Sequence, residues 1–395
     1  MPGVPHRSRG ASTVLFYHYI EQLLRAGHEV LCLLLSESAF KEEEVEELRV
    51  ALAAAGPCRV VTAVVPSLLR FGKYSGRAIA GRLPPEAEYA AREFNACAVV
   101  YFDLGCLATA GVLGQGKRTV AWLGDLAFES IWHHSLYDAR EDRLGVLRLP
   151  KLWLVCRRWR NAYQRFLRDV DFVIVSSGSS EKTIRRLGAK AAQYFPYPWP
   201  IGKPFRSAAA HRVAGDKPRF LFCGTLSGLG SRSAMHYLLD QLYPELVSGW
   251  GAGAFEIVIT GTRSLPEWAM QSIGTKPEIR FEGFVDDLYA RMDQCHAAIV
   301  PIDVPVGNRS RIVTAMGYGL LVIAHPNTAR GNPALVSGDT CLLASTPAEF
   351  ARCMKQAYED RDLCVRIEQA ARRAYERLFA PQPASQPLLK ALEAA

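Results

Sequence analysis

Apolar residues fall along this chain in short runs that stop at a glycine, a proline or a polar turn, and between the runs they recur at helical spacing. Runs of that kind alternating with amphipathic segments predict parallel strands covered by helices. Toward the amino end the runs are "HEVLCLLL", "CRVVTAVV", "NACAVVYFD", "RTVAWLGD" and "DFVIVSS", separated by helical or mixed segments such as "KEEEVEELRVALAAAG". After the proline-rich linker "YFPYPWPIGKPF" the rhythm resumes with "RFLFCG", "FEIVITG", "IRFEG", "AAIVP" and "LLVIAH". The pattern predicts an α/β chain of two Rossmann-like, doubly wound domains over 1–200 and 201–375, with a tail over 376–395 that folds back across the first domain.

The first domain departs from this rhythm at its start. A doubly wound domain opens on a strand, whereas this chain opens on the loop and helix "RSRGASTVLFYHYIEQLLRAGHEV". The first strand is missing from the pattern, and the favoured reading is a start placed late in the frame rather than a domain built without that strand.

Composition narrows the class. A chain of 395 residues exceeds one ordinary core, and 49% hydrophobic with 22% charged residues leaves little room for long disordered tracts. The formal net charge of +8 favours an acidic partner: nucleotide phosphates, anionic lipid or nucleic acid. With no RNA-binding signature, zinc finger or basic helix followed by heptads, nucleic acid is set aside. The ten cysteines sit singly, without a C-x-x-C pair, which argues against zinc and disulfides and for reduced thiols in a cytoplasmic protein. His18 and Glu21 interrupt the first apolar stretch, so it lacks a signal-peptide core, and no run reaches the roughly 18 apolar residues of a membrane span.

Candidate chemistry gathers at strand ends in the second half. "RFLFCGTLSGLGSRS" is a strand, a loop carrying Gly224, Gly228 and Gly230, and a helix start, where outward-facing amides favour an anion. It is neither a Walker A loop nor a good dinucleotide fingerprint, and by itself reads equally well as a flexible turn. Arg232 in that loop and Arg263 after "FEIVITGT" stand at carboxyl ends of strands, where open α/β sheets bind ligands; the alternative is solvated surface charge. In "VGNRSRIVTAMGYGLLVIAH", Arg309 and Arg311 fall at the first turn of a helix, where two cations oppose the dipole unless an anion lies between them. A diphosphate accepting arginine forks would resolve that conflict.

Taken in order, the segments from Arg219 to Phe379 resemble the carboxy-terminal domain of family 4-type (group 1) glycosyltransferases of the GT-B fold. The resemblance rests on "FCGTLSGLGSRSAMHYLLDQLYPEL", "FEIVITGTRSLPEW", "IRFEGFVDDLYARMDQCHAAIVP" and "GNRSRIVTAMGYGLLVIAH". The first half matches more weakly, through "RGAS…GHEV" and "DFVIVSSGSSEKTIRRLG". It implies two domains facing a cleft and transfer of a sugar from a nucleotide-sugar donor to a glycan, lipid-linked or small-molecule acceptor. Retention of anomeric configuration, no metal, no cofactor beyond the nucleotide-sugar co-substrate and a place in polysaccharide biosynthesis are implied with it. Carried across residue by residue, Phe284 and Val285 border the nucleobase, and Arg311 replaces a diphosphate-binding lysine. Gly224, Arg232 and Gly261 lie beside the donor, and Gly10 closes over it from the other domain. The family's paired glutamates would fall at Val306 and Thr314, and neither is acidic. Thr314 keeps one hydroxyl for a ribose or sugar. A sugar-nucleotide epimerase of the same architecture and a degenerate, non-catalytic nucleotide- or glycan-binding protein remain as alternatives.

In this reading Arg232 and Arg311 stabilise the leaving diphosphate. Asp125, just after "RTVAWLG" and ahead of Glu129, His133 and His134, is the candidate to accept or orient an acceptor proton, with a helix cap as its plain alternative. "DVD" at Asp169 to Asp171 matches the D-x-D of metal-dependent transferases, yet Asp171 reads better as a strand start. "RLPKLWLVCRRWRNAYQRFLRDV" is a basic helix with Trp153, Trp159 and Phe166 among arginines. It reads either as a packed helix with a basic outer face or as a peripheral contact with an anionic membrane at its inner face.

Overall fold

The computed structural model describes residues 1–141, 149–211, 215, 217–224, 228–305 and 307–393. It divides into two compact units, one of Met1–Trp199 with Pro381–Ala395, the other of Pro200–Ala380.

In the first unit the strands are β1 (Val30–Ser36), β2 (Cys58–Val64), β3 (Leu69–Phe71), β4 (Ala78–Ala80), β5 (Ala98–Phe102), β6 (Arg118–Leu123), β7 (Phe172–Val175) and β8 (Ala192–Tyr194). Each of the five runs read from the sequence is a strand. The short β3, β4 and β8 escape the pattern because three residues cannot display a period. β1 and β2 pair in parallel, β5, β6, β7 and β8 form a separate parallel sheet in that order, and β3 and β4 make a small antiparallel hairpin. No strand joins β1 to β5 among the described residues. Beside β1, Pro2 forms an isolated parallel bridge with Leu35, and the Gly3 amide donates to the Leu35 carbonyl at 3.2 Å.

Helix Ala11–Arg25 starts at Gly10 (φ 74°) and buries Tyr17, Ile20 and Leu24 against Cys32, Leu34 and Val60. Its other buried aromatics reach the second sheet, with the Phe16 and Phe102 ring centroids 4.7 Å apart. Helix Pro381–Glu393 belongs to this unit, where Arg118 Nε donates to the Ala391 carbonyl.

The second unit holds one parallel sheet built from β9 (Arg219–Cys223), β10 (Glu256–Thr260), β11 (Ile279–Gly283), β12 (Ala297–Val300), β13 (Val322–Ala324) and β14 (Leu342–Leu343). Its order is β11-β10-β9-β12-β13-β14, so the chain reverses its direction of travel across the sheet between β9 and β12. That is the Rossmann order, and its reversal leaves a crevice at the carboxyl ends of the two central strands. β9, β10, β12 and β13 are buried on both faces, as uninterrupted apolar runs require, while the edge strand β11 leaves Arg280 exposed.

The segment "AEFARCMKQAYEDRDLCVRIEQAARRAYERLF", whose apolar spacing runs on like that of one helix, is two helices, Pro347–Glu359 and Arg361–Leu378. Asp360 divides them because its carboxylate accepts from the Leu363 amide and caps the second.

Candidate functional site

The crevice of the second unit is built from glycines and one arginine. Gly224, Gly261 and Gly283 end β9, β10 and β11 with φ of 145°, 95° and 73°. Those left-handed turns let neighbouring strand ends stay paired past the sheet: Gly224 N–H donates to the Thr260 carbonyl and Gly261 N–H to the Gly283 carbonyl, both at 3.0 Å. A Cβ on Gly261 would come within 2.9 Å of the Gly224 nitrogen, so the two strand ends touch through backbone alone.

Arg311 enters from the other side of the reversal point. It lies in the first turn of helix Ser310–Tyr318, which follows β12, and Arg309 is the residue just before that helix. The Arg311 guanidinium crosses to β9, donating from Nη1 to the Cys223 carbonyl at 2.6 Å and from Nη2 to the Ser231 hydroxyl. Ser231 sits in the first turn of helix Leu229–His236, so one side chain ties together the starts of both helices that flank the crevice. Burial lowers the Arg311 pKa to about 10, with the Arg309 charge adding to the drop, so it stays a cation at neutral pH. Its partners are a carbonyl and a hydroxyl, and it forms no ion pair among the described residues. A desolvated cation without a counter-charge is costly, and the two helix amino termini beside it raise the local positive potential further. Such a place favours an anion.

The remaining sequence candidates lie around that edge in graded exposure. Arg232 is half-buried in the first turn of helix Leu229–His236 and Arg263 is exposed after β10. Phe284 and Val285 follow Gly283, and the Phe284 ring is 64% exposed, an apolar plate at the rim that solvent alone does not favour. Thr314 donates its hydroxyl to the Ser310 carbonyl at 3.0 Å, which commits its donor to its own helix. Val306 lies outside the described residues. Two polar groups were not singled out from the sequence: Ser231, and Asn308, whose side-chain oxygen and nitrogen are buried without a hydrogen-bond partner among the described residues. Their signal is polarity in a strand-to-helix loop, which the arginines beside them overshadowed.

In the first unit, Gly10 precedes helix Ala11–Arg25, and Asp125 is exposed just past β6. Behind Asp125, desolvation raises the Glu129 carboxyl, with hydrogen bonds from Thr183 and Ser180 opposing the rise and the Asp125 charge adding to it. Burial lowers the His133 pKa. Asp171 accepts from both the amide and the hydroxyl of Thr119 at 2.9 Å, which makes it the strand-start anchor of β7 against β6. Among the described residues no group of three or more His, Cys, Asp or Glu side chains could hold a metal ion.

The basic helix runs over Leu149–Leu167 and buries Leu152, Cys156, Ala162, Tyr163 and Leu167. Trp159 packs on Phe71 of β3 with ring centroids 5.0 Å apart, and Phe166 lies against the core, while Trp153 and Leu154 stay 52% and 49% exposed. Among the described residues no helix is long and apolar enough to cross a membrane.

Residues 217–360 match the model of the family described as glycosyl transferases group 1. Among solved structures, the chain is similar over 100% of its length to 99% of Anabaena HepE in complex with UDP and glucose, at 15% identity and a TM-score of 0.64. It is similar over 99% of its length to 95% of the sucrose-phosphate synthase of Thermosynechococcus elongatus, at 14% identity and 0.62. A glycosyltransferase from Rickettsia africae matches over 100% of this chain and 97% of its own, at 11% identity and 0.63. No curated protein matches by sequence.

Proposed function

We propose that this chain, whose residues 217–360 match the model of the group 1 glycosyl transferases, moves a sugar from a nucleoside-diphosphate donor seated at the β9–β12 crevice. The observation that carries this reading is Arg311, a half-buried cation with no counter-charge among the described residues, held at the start of one helix and against the start of another. The donor's diphosphate supplies the missing negative charge. Two of the guanidinium's five N–H groups are spent on Cys223 and Ser231, which leaves donors for phosphate oxygens.

As the sugar–phosphate bond breaks, negative charge grows on the leaving diphosphate. Arg311, Arg309 and Arg232, at or beside the two helix starts, are the cations proposed to meet that charge with little reorganisation. Gly224 lets the Arg311 guanidinium pack against the end of β9, and Gly261 lets the ends of β9 and β10 meet; Phe284 and Val285 border the base, and Asn308 offers a buried amide to the sugar or phosphate. Asp125 orients the acceptor hydroxyl, beside Glu129, whose carboxyl is raised mainly by desolvation. Uridine diphosphate sugars are the first donors to test, since HepE was solved with UDP and glucose.

The acceptor is proposed to be lipid-linked and reached from an anionic membrane surface. What supports this is the outer face of helix Leu149–Leu167: Trp153 and Leu154 exposed beside Lys151 and Arg157, with the Arg157 guanidinium 5.3 Å from the Trp153 ring centroid. The β3–β4 hairpin carries Lys73 and a 91% exposed Tyr74 on the same unit, adding another cation and aromatic ring. Aromatic tips among cations suit a headgroup layer.

Turnover of a nucleotide-sugar panel, with and without a membrane extract as acceptor source, tests the reading. Acceptor-dependent release of nucleoside diphosphate supports transfer. Conversion of the donor without acceptor would identify an epimerase instead.

A further inference from the structure

The hairpin of β3 and β4 is strapped to helix Leu149–Leu167. Phe71 packs on Trp159, and Arg165 Nη1 donates to the Ala78 carbonyl at 2.9 Å. Nearer the turn, Gly76 (φ 61°) lies so close to Arg158 that a Cβ there would stand 2.6 Å from Nε. Gly76 meets Arg158 and Ala78 meets Arg165, so β4 runs the same way as the helix and the hairpin turn points back toward the helix start. Lys151, Leu154 and Arg158 fall at i, i+3 and i+7, on one face of that helix. The turn and this face therefore make one surface, to which the hairpin adds the exposed Lys73, Tyr74 and Arg77.

Arg158 stands apart from its neighbours. Arg157 lies over the Trp153 ring, Arg160 over the Phe128 ring, and Arg165 holds a carbonyl. Arg158 is half-buried beside Gly76, yet among the described residues its guanidinium makes no hydrogen bond and no ion pair, and Lys73 and Arg77 form no ion pair either. The turn is closed by the Gly72 amide on the Arg77 carbonyl and the Gly76 amide on the Gly72 carbonyl, both at 3.0 Å. The amides of Lys73, Tyr74 and Ser75 donate to no protein group among the described residues. A planar fork with open donors, beside two further cations and three open amides, suits a phosphate, whose tetrahedral oxygens meet fork and turn together. The fringe of this surface is apolar: Tyr74, Trp153 and Leu154 stand exposed at its edge. A headgroup phosphate lies where such side chains reach the first methylenes of a bilayer.

We propose that Arg158 and the β3–β4 turn form a phosphate site that takes the headgroup of an anionic phospholipid, with Tyr74 and Leu154 dipping into the layer beside it. The inference rests on the membrane-facing reading of helix Leu149–Leu167 and deepens it, turning a diffuse basic contact into a seat for one chemical group. It is independent of the donor crevice, which belongs to the other unit.

Flotation with two sets of vesicles tests it, one made anionic by phosphatidylglycerol and the other by a fatty acid, matched in zeta potential. The parent chain should favour the phospholipid set at least about fivefold. Arg158→Lys and Gly76→Ala both keep the net charge, the first removing the fork and the second pushing the guanidinium from its place. Each should bring the preference below about twofold while the nucleotide affinity of the other unit stays as in the parent. Should Gly76→Ala lower Tm, Arg158→Lys alone decides. A parent that binds both sets alike, or a preference that survives Arg158→Lys, would overturn the phosphate site and leave the membrane contact diffuse. A parent that floats with neither set would overturn it together with the membrane reading, leaving the donor reading untouched. Calorimetric binding of glycerol phosphate without flotation would assign the site to a soluble phosphoester and overturn the lipid as its ligand.

Discussion

The Arg311 guanidinium lies flat against the α-carbon of Gly224, so closely that a Cβ there would stand 2.5 Å from Cζ. One residue ends β9, the other begins the helix after β12, and they meet across the point where the sheet order reverses. Gly224→Ala would push the guanidinium off the Cys223 carbonyl and strain a φ of 145°. The expected result is a loss of about 1–3 kcal/mol of stability, read by urea unfolding, together with weakened nucleotide binding. Unchanged affinity would mean that the arginine's position does not matter to the ligand.

Asp125 and Arg311 are assigned to different substrates, and their variants should separate. Asp125→Asn should slow transfer roughly 100-fold while nucleotide affinity, measured by calorimetry, stays as in the parent chain. A matching fall in nucleotide affinity would move Asp125 out of the acceptor role.

Glu129 gives a pH signature. Its folded carboxyl is raised above the ordinary 4.5, mainly by desolvation, so between the unfolded and folded values the native state holds more protons than the unfolded one. Stability from this group is therefore present below about pH 4.5 and lost as pH rises through the folded value. Glu129→Gln should flatten that decline in unfolding experiments from pH 4.5 upward. An unchanged slope would exclude Glu129 as its source.

Trp153 and Leu154 should matter only at a membrane. Replacing both with serine should cut sedimentation with vesicles containing anionic lipid by roughly tenfold and leave neutral vesicles and Tm unaffected. Equal partitioning of parent and variant would leave the helix as a packed one with a solvated basic face.

The strand runs were legible because buried parallel strands read as uninterrupted apolar segments, and both Rossmann halves follow from their rhythm. The cations at helix starts were legible too, since "GNRSRIV" sets charge where a dipole resists it. What the one-dimensional pattern could not carry was pairing. Arg311 reaches Ser231 across 80 positions of sequence, and a hydroxyl's partner leaves no periodic trace. The split at Asp360 was hidden because apolar spacing continues across a capping residue, and Asn308 because its isolation from partners is a property of the folded loop.

The most direct measurement is a calorimetric titration of UDP, GDP and ADP into the parent chain and into Arg311→Ala and Arg311→Lys. The account predicts saturable binding of one nucleotide, weakened roughly 10- to 100-fold by alanine and less by lysine, which restores charge without the fork. Binding that is indifferent to Arg311, in variants that unfold at the parent's Tm, would contradict it.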